Sequence, residues 1–231
     1  MPDTHDPSFF SELLRAPTFP LRGDGIMLTL MACAWLFVTQ LLSGCVPVAG
    51  LIVSLAGIGF FYAYLMRVVT VTADGDDELP AFQEISSWWD DGLVPSFQII
   101  FLLFLYFGPA IWLLVSENET GALVAAGVAV FLLPMGLLNL SLRTSLLDPA
   151  PAWQIKTILS APLPYLVSVL CMSAVTGLQW WITGLSGDVQ GDDMVSTLAI
   201  GAVTLPISVY ANFINAFVLG RFYYCNEVEL E

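Results

Sequence analysis

The chain has 231 residues, 57% of them hydrophobic, a mean hydropathy of +0.80 and a formal net charge of −14. That apolar share is above the ~45–50% of soluble domains, so an ordinary water-soluble fold is excluded. With 20 acidic residues against 6 basic ones, electrostatic capture of nucleic acid or of anionic lipid headgroups is excluded as well.

The apolar runs are continuous, unlike the alternating segments of a transmembrane barrel. They predict an all-α, polytopic membrane protein: six transmembrane helices in three hairpins, each hairpin preceded by a short interfacial amphipathic helix. Residues 1–24 read as an N-terminal segment in which Pro7-Ser8-Phe9 opens a stretch with Phe10, Leu13 and Leu14 at helical spacing. Proline is suited to a first helical position, where its missing N–H would have no partner anyway. The spans follow at 25–42, 46–69, 92–115, 121–147, 162–185 and 195–220, each long enough for a hydrocarbon core of about 30 Å. Together they make a transmembrane domain over 25–221, with an acidic loop at 70–91, an interfacial segment at 148–161 and a tail at 222–231.

All the basic residues fall on one side of this topology. Arg15 and Arg22 precede the first span, Arg67 ends the second, Arg143 and Lys156 follow the fourth, and Arg221 ends the sixth. Positive charge resists translocation, so that side is expected to be cytoplasmic, with both termini inside and a bacterial inner membrane as the location. Arg67, Arg143, Lys156 and Arg221 are the topology anchors. Trp112, Trp180 and Trp181 are expected at the outer boundary and Trp88, Trp89 and Trp153 at the inner one, as an aromatic belt.

Pro80-Ala81-Phe82 and Pro151-Ala152-Trp153 repeat the Pro-small-aromatic opening of Pro7-Ser8-Phe9, and each pair of spans ends in Arg67, Arg143 or Arg221. The chain therefore reads as one unit used three times, a pseudo-threefold repeat. Cys33, Cys45, Cys171 and Cys225 have no metal-ligand spacing. Leu42-Ser43-Gly44-Cys45 looks like a lipoprotein cleavage site, yet Val46-Pro47-Val48 runs straight into the next span, so an uncleaved first span is expected.

No cofactor, metal or catalytic set is expected. The one histidine, His5, is in a polar tail, and H-E-x-x-H, P-loop and G-x-S-x-G motifs are absent. Asp74, Asp76, Asp77, Glu78, Asp90 and Asp91 lack the spacing of a calcium loop. With Trp88 and Trp89, the acids Asp76, Asp77, Glu78, Asp90 and Asp91 are instead read as a docking surface for a partner. No acid is expected at mid-membrane, where ionisable groups mark transport. The uncharged polar groups there are Gln98, Asn139, Tyr210, Asn212 and Asn215, with Pro134 and Pro206 freeing backbone carbonyls nearby. Gly50, Ser54, Gly57 and Ala63, then Gly121, Ala125 and Ala129, predict close helix packing.

Phe19-Pro20-Leu21-Arg22-Gly23-Asp24-Gly25, Asp76-Asp77-Glu78-Leu79-Pro80, Gly108-Pro109 and Leu219-Gly220-Arg221 with Tyr223, Tyr224 and Asn226 resemble a group of uncharacterised bacterial six-span proteins, a family of unknown function. The resemblance implies fold and topology and no activity. It departs in one place, since Ala81 and Phe82 follow the acidic turn where that group often has tryptophan. The first functional expectation is a non-catalytic accessory or scaffold subunit, with the lipid bilayer, other membrane proteins or a second copy as partners and no nucleic acid. The alternative is a facilitator for a small neutral or lipidic solute. A metal-dependent lipid-modifying enzyme ranks third.

Overall fold

A computed structural model describes residues 9–45, 47–81, 88–143, 151–187 and 194–230. Every regular element among them is helical. In chain order they are α1 (Phe9–Leu13), a 3-10 turn (Ala16–Leu21), α2 (Gly25–Cys45), α3 (Pro47–Ala73), a π-helical turn (Trp88–Leu93), α4 (Val94–Val115), α5 (Glu119–Arg143), α6 (Pro151–Ser160), α7 (Pro162–Gly187) and α8 (Met194–Leu230). Six of them are long and apolar enough to cross a membrane, so the expected class of fold is observed. The second interfacial helix and the end of the fourth predicted span, with His5 and Phe82, fall outside the described residues, and nothing is described of the side chains of Cys45, Trp88, Asp91, Arg143 or Trp153.

The spans pair as α2–α3, α4–α5 and α7–α8. In each hairpin the second helix is the more buried: 44% of the α3 and α8 spans is inside the bundle and 33% of α5, against 22%, 17% and 11% for α2, α4 and α7. α3 packs along α8, with α2 leaning on α8 and α4 on α3. The second helices thus form an inner ring and the first helices an outer layer facing lipid. The ring is unequal, because α5 meets α8 only sparsely, and a cavity occupies that gap.

Glycine sets the close contacts. At Gly220 on α8 an added Cβ would overlap the Thr72 hydroxyl and come within 2.7 Å of the Val69 carbonyl on α3. At Gly57 on α3 it would lie 2.5 Å from Cγ2 of Thr39 on α2, and the Gly57 carbonyl accepts from the Trp35 indole at 3.1 Å. At Gly136 on α5 it would lie 2.7 Å from the Tyr106 ring on α4. Backbones that approach this closely gain the van der Waals contact that holds helices together in lipid. Gly57 was expected in this role from the sequence; Gly136 and Gly220 were not.

Pro134 has no N–H for the Val130 carbonyl four residues back, and the next carbonyl along, that of Phe131, accepts from the Tyr165 hydroxyl on α7. α7 is thus hydrogen-bonded to the α5 backbone beside the proline. Between α4 and α5, Glu117 takes a left-handed φ of 60° and the Asn118 side chain accepts from the Gly121 N–H at 2.9 Å, capping α5.

Two boundaries differ from the sequence reading. Arg67 is exposed and sits inside α3, which runs on to Ala73. α8 passes Arg221 without a break and includes the expected tail as far as Leu230, because Arg221 is neutralised within the fold and Phe222 and Asn226 beyond it are buried.

Candidate functional site

α8 carries two different surfaces, separated by its helical period. Tyr210, Phe213, Phe217 and Arg221 recur three or four residues apart on one face, and Asn212, Asn215, Ala216 and Leu219 on another. The first face holds the N-terminal segment and the second lines the cavity.

On the first face, Arg221 is buried, and its guanidinium lies 5.3 Å from the Phe217 ring centroid and 5.2 Å from that of Tyr224. It donates to the Asp77 carboxylate and, at 3.1 Å, to the Asp76 carbonyl. Its Nε is 3.5 Å from Glu12 Oε2, an ion pair that stops short of hydrogen-bond geometry. Glu12 is itself 2% exposed and also pairs with Arg15 at 3.0 Å, while Arg22 lies 3.7 Å from Asp77.

Local structure explains how distant residues meet here. α3 ends in a Schellman cap: Gly75 takes φ +99°, its N–H reaches the Thr72 carbonyl at 3.3 Å, and the Asp76 N–H reaches Val71 at 3.2 Å. That turn presents Asp76 and Asp77 to Arg221, and the Tyr224 ring covers Gly75 so closely that a Cβ there would be 2.8 Å from it. The Tyr64 hydroxyl holds the returning loop through the Pro80 carbonyl at 2.8 Å. In the N-terminal segment, N–H groups of Arg15, Thr18, Arg22 and Gly25 each bond three residues back, a tight 3-10 course suited to Pro17 and Pro20. It seats Phe19 on Phe217 at 4.4 Å, Phe9 on Phe222 at 6.2 Å, and the Pro17 carbonyl on the Tyr210 hydroxyl.

This node changes three sequence expectations. Arg221, given only a topological role in the sequence, is a buried charge. Asp76, Asp77 and Glu78 are all exposed, yet Asp77 is held by Arg221 and the Glu78 carboxylate lies over Gly23. The N-terminal segment does more than lie flat: it turns Phe9, Glu12, Ala16 and Phe19 inward while Phe10, Leu14 and Leu21 face outward. α6 behaves alike, burying Gln154 and Thr157 and exposing Ile155, Lys156 and Leu159. Of the remaining docking candidates, Trp89 is 60% exposed and Asp90 is exposed.

The second face of α8 borders a cavity of about 270 Å³, near the small end of the roughly 300–1,000 Å³ typical of ligand sites. Tyr62, Leu65 and Met66 line it from α3, Leu102 and Leu103 from α4, Leu133 and Leu137 from α5. Every lining residue belongs to a candidate span, and none is ionisable at neutral pH. Its polar groups are Asn212 and Asn215 on α8, Thr176 on α7, and Ser141 on α5, with the Tyr62 hydroxyl. Asn215 Nδ2 donates to Thr176 Oγ1 at 3.2 Å, leaving Asn215 Oδ1 buried without a partner. Asn212 Nδ2 donates to the Ser208 carbonyl one turn back at 2.8 Å.

The structure therefore brings together two of the five polar residues singled out in the sequence. Tyr210 is on the opposite face of α8, Gln98 is partly buried outside the cavity, and Asn139 is 2% exposed with an unpartnered Oδ1 elsewhere in the bundle. Thr176 was missed because a lone threonine in an apolar run carries no signal until α7 and α8 are paired. Among the described residues no group of three or more His, Cys, Asp or Glu is placed to hold a metal ion. No known protein family matches this chain, and no curated protein or solved structure matches it either.

Proposed function

We propose that this is a non-catalytic, multi-pass protein of a bacterial inner membrane that holds or passes a small neutral or lipidic solute within its helix bundle. The observation that carries this reading is the cavity among the candidate spans, uncharged throughout, with Asn212, Asn215, Thr176, Ser141 and Tyr62 on otherwise apolar walls. Binding sites of membrane carriers commonly lie inside the bundle, and each of the two helices that flank the gap carries an internal proline, Pro134 or Pro206, that removes one backbone hydrogen bond. We read the face carrying Arg67, Lys156 and Arg221 as cytoplasmic, and the three hairpins as copies of one unit.

Purification of the full chain in mild detergent, followed by identification of co-eluting small molecules, tests this. An uncharged compound should be retained by the native protein and lost from Leu103→Trp, which fills the cavity from its rim. Native protein and variant carrying the same bulk lipids and nothing else would remove the reading.

A second reading, an accessory subunit docking through its acidic rim, is favoured by exposed Trp89 beside Asp90, with Asp76 and Glu78 also exposed. Its test is charge reversal at Asp76 and Glu78, sparing Asp77 because Asp77 supports Arg221. Unchanged recovery of co-purifying proteins would eliminate that surface.

A further inference from the structure

We propose that the occupant of the cavity is an uncharged single-chain amphiphile, with a hydroxyl or amide head held by Asn215, Asn212 and Thr176 and a hydrocarbon chain along the leucine walls. The inference rests on the pocket reading above and names the class of molecule that fits it.

The chemistry of the lining decides the class. The lining contains no carboxylate, ammonium or guanidinium, and an ionised head within the membrane-spanning region would have no opposite charge to meet, which is costly at that depth. Fatty acids, alkylammonium ions and phospholipid headgroups are thereby disfavoured. A pure hydrocarbon is disfavoured for the opposite reason. Asn215 Oδ1 is already buried without a partner, and methylene groups beside it would leave it so, whereas a hydroxyl or amide N–H could pair with it. An alcohol or amide both donates and accepts, so it pairs with a primary amide or hydroxyl in either orientation.

Shape agrees with this. The amides are three residues apart on one face of α8 and Thr176 is bonded to one of them, so three of the five polar side chains are gathered on the α7–α8 side, with Ser141 on α5 and Tyr62 on α3 as the others. Leu65, Leu102, Leu133 and Leu137 provide the apolar remainder, and Met66 and Met172 are unbranched side chains that adapt to a flexible chain. The volume of about 270 Å³, near the small end for ligand sites, suits one short chain with a single polar head. All the walls lie in spans, so the molecule arrives from the bilayer, where amphiphiles of this kind are dissolved.

The test is photolabelling of the full chain in lipid nanodiscs with a diazirine derivative of 1-octanol, mapped by mass spectrometry. Adducts are expected on peptides carrying Met66, Met172 or Leu219. 1-Octanol should compete at least tenfold better than octanoate, octylammonium or octane at equal membrane concentration. Asn215→Leu and the isosteric Thr176→Val should each weaken that competition about 2–10-fold, the range for one lost hydrogen bond. Adducts in the cavity displaced equally by octanol, octanoate and octane would overturn the amphiphile class while leaving the pocket reading in place. Failure to find any cavity adduct would overturn both.

Discussion

At the scale of single residues, two positions decide how closely α8 packs and what it carries. Gly220→Ala places a methyl group against the Thr72 hydroxyl and the Val69 carbonyl. The carbonyl belongs to α3 backbone and cannot rotate aside, so destabilisation of about 1–3 kcal/mol or more is expected from overpacking. Gly127→Ala is the control, since nothing lies within 4 Å of a Cβ there and alanine favours helix. Detergent unfolding curves should show Gly220→Ala clearly earlier than Gly127→Ala; coincident curves would refute the close α3–α8 approach. Arg221→Met is expected to cost about 3–5 kcal/mol, because it strands Glu12, 2% exposed, as a buried charge with only Arg15 beside it. Glu12→Gln combined with Arg221→Met removes both buried charges and should recover part of the loss. Asp77→Asn should cost less, at most about 1 kcal/mol, because the Asp77 side chain is 46% exposed and solvent screens its pairing. An order of midpoints in which Asp77→Asn is worse than Arg221→Met would contradict the burial of the Glu12–Arg221 pair.

At the scale of elements, the bond from the Tyr165 hydroxyl to the Phe131 carbonyl ties α7 to α5 beside the Pro134 interruption. Tyr165→Phe is expected to lower stability by about 0.5–1.5 kcal/mol. Detergent unfolding curves read this loss, and an unmoved midpoint would remove the bond as a tie between α7 and α5. The elements themselves were largely legible in the sequence, since six continuous apolar runs have no other stable form in lipid. The N-terminal segment was legible only in its outer half. Phe10 and Leu14 announce an interfacial helix, and they do face outward. Glu12 between them reads as a solvated acid, and its burial depends on Arg221, more than 200 residues away in the chain. The candidate site was partly legible for the same reason: Asn212 and Asn215 share a face by spacing alone, whereas Thr176 and the gap between α5 and α8 exist only once the helices are assembled.

At the scale of the whole molecule, one face gathers the N-terminal segment, the acidic loop after α3, α6 and the end of α8, and the Arg221 node binds three of these together. The segment before α2 is therefore part of the bundle's stability. Deletion of residues 1–22 removes Phe19, fully buried on Phe217, together with the Glu12 carboxylate. A buried phenylalanine alone is worth about 3–5 kcal/mol, so the deletion should shift the entire unfolding transition to lower denaturant; an unmoved midpoint would reduce the segment to an appendage. The same gathering fixes sidedness. Single cysteines at Glu78 and Lys156, in a background with the native cysteines replaced, should react with a membrane-impermeant maleimide from one side of sealed vesicles. A cysteine at Glu117, in the turn between α4 and α5, should react only from the other. With arginine and lysine resisting translocation, the Glu78 and Lys156 side is expected to be the one reached in inverted vesicles and protected in intact cells. Reaction of Lys156 and Glu117 positions from the same side would break the hairpin topology on which both the cavity and the Arg221 node depend.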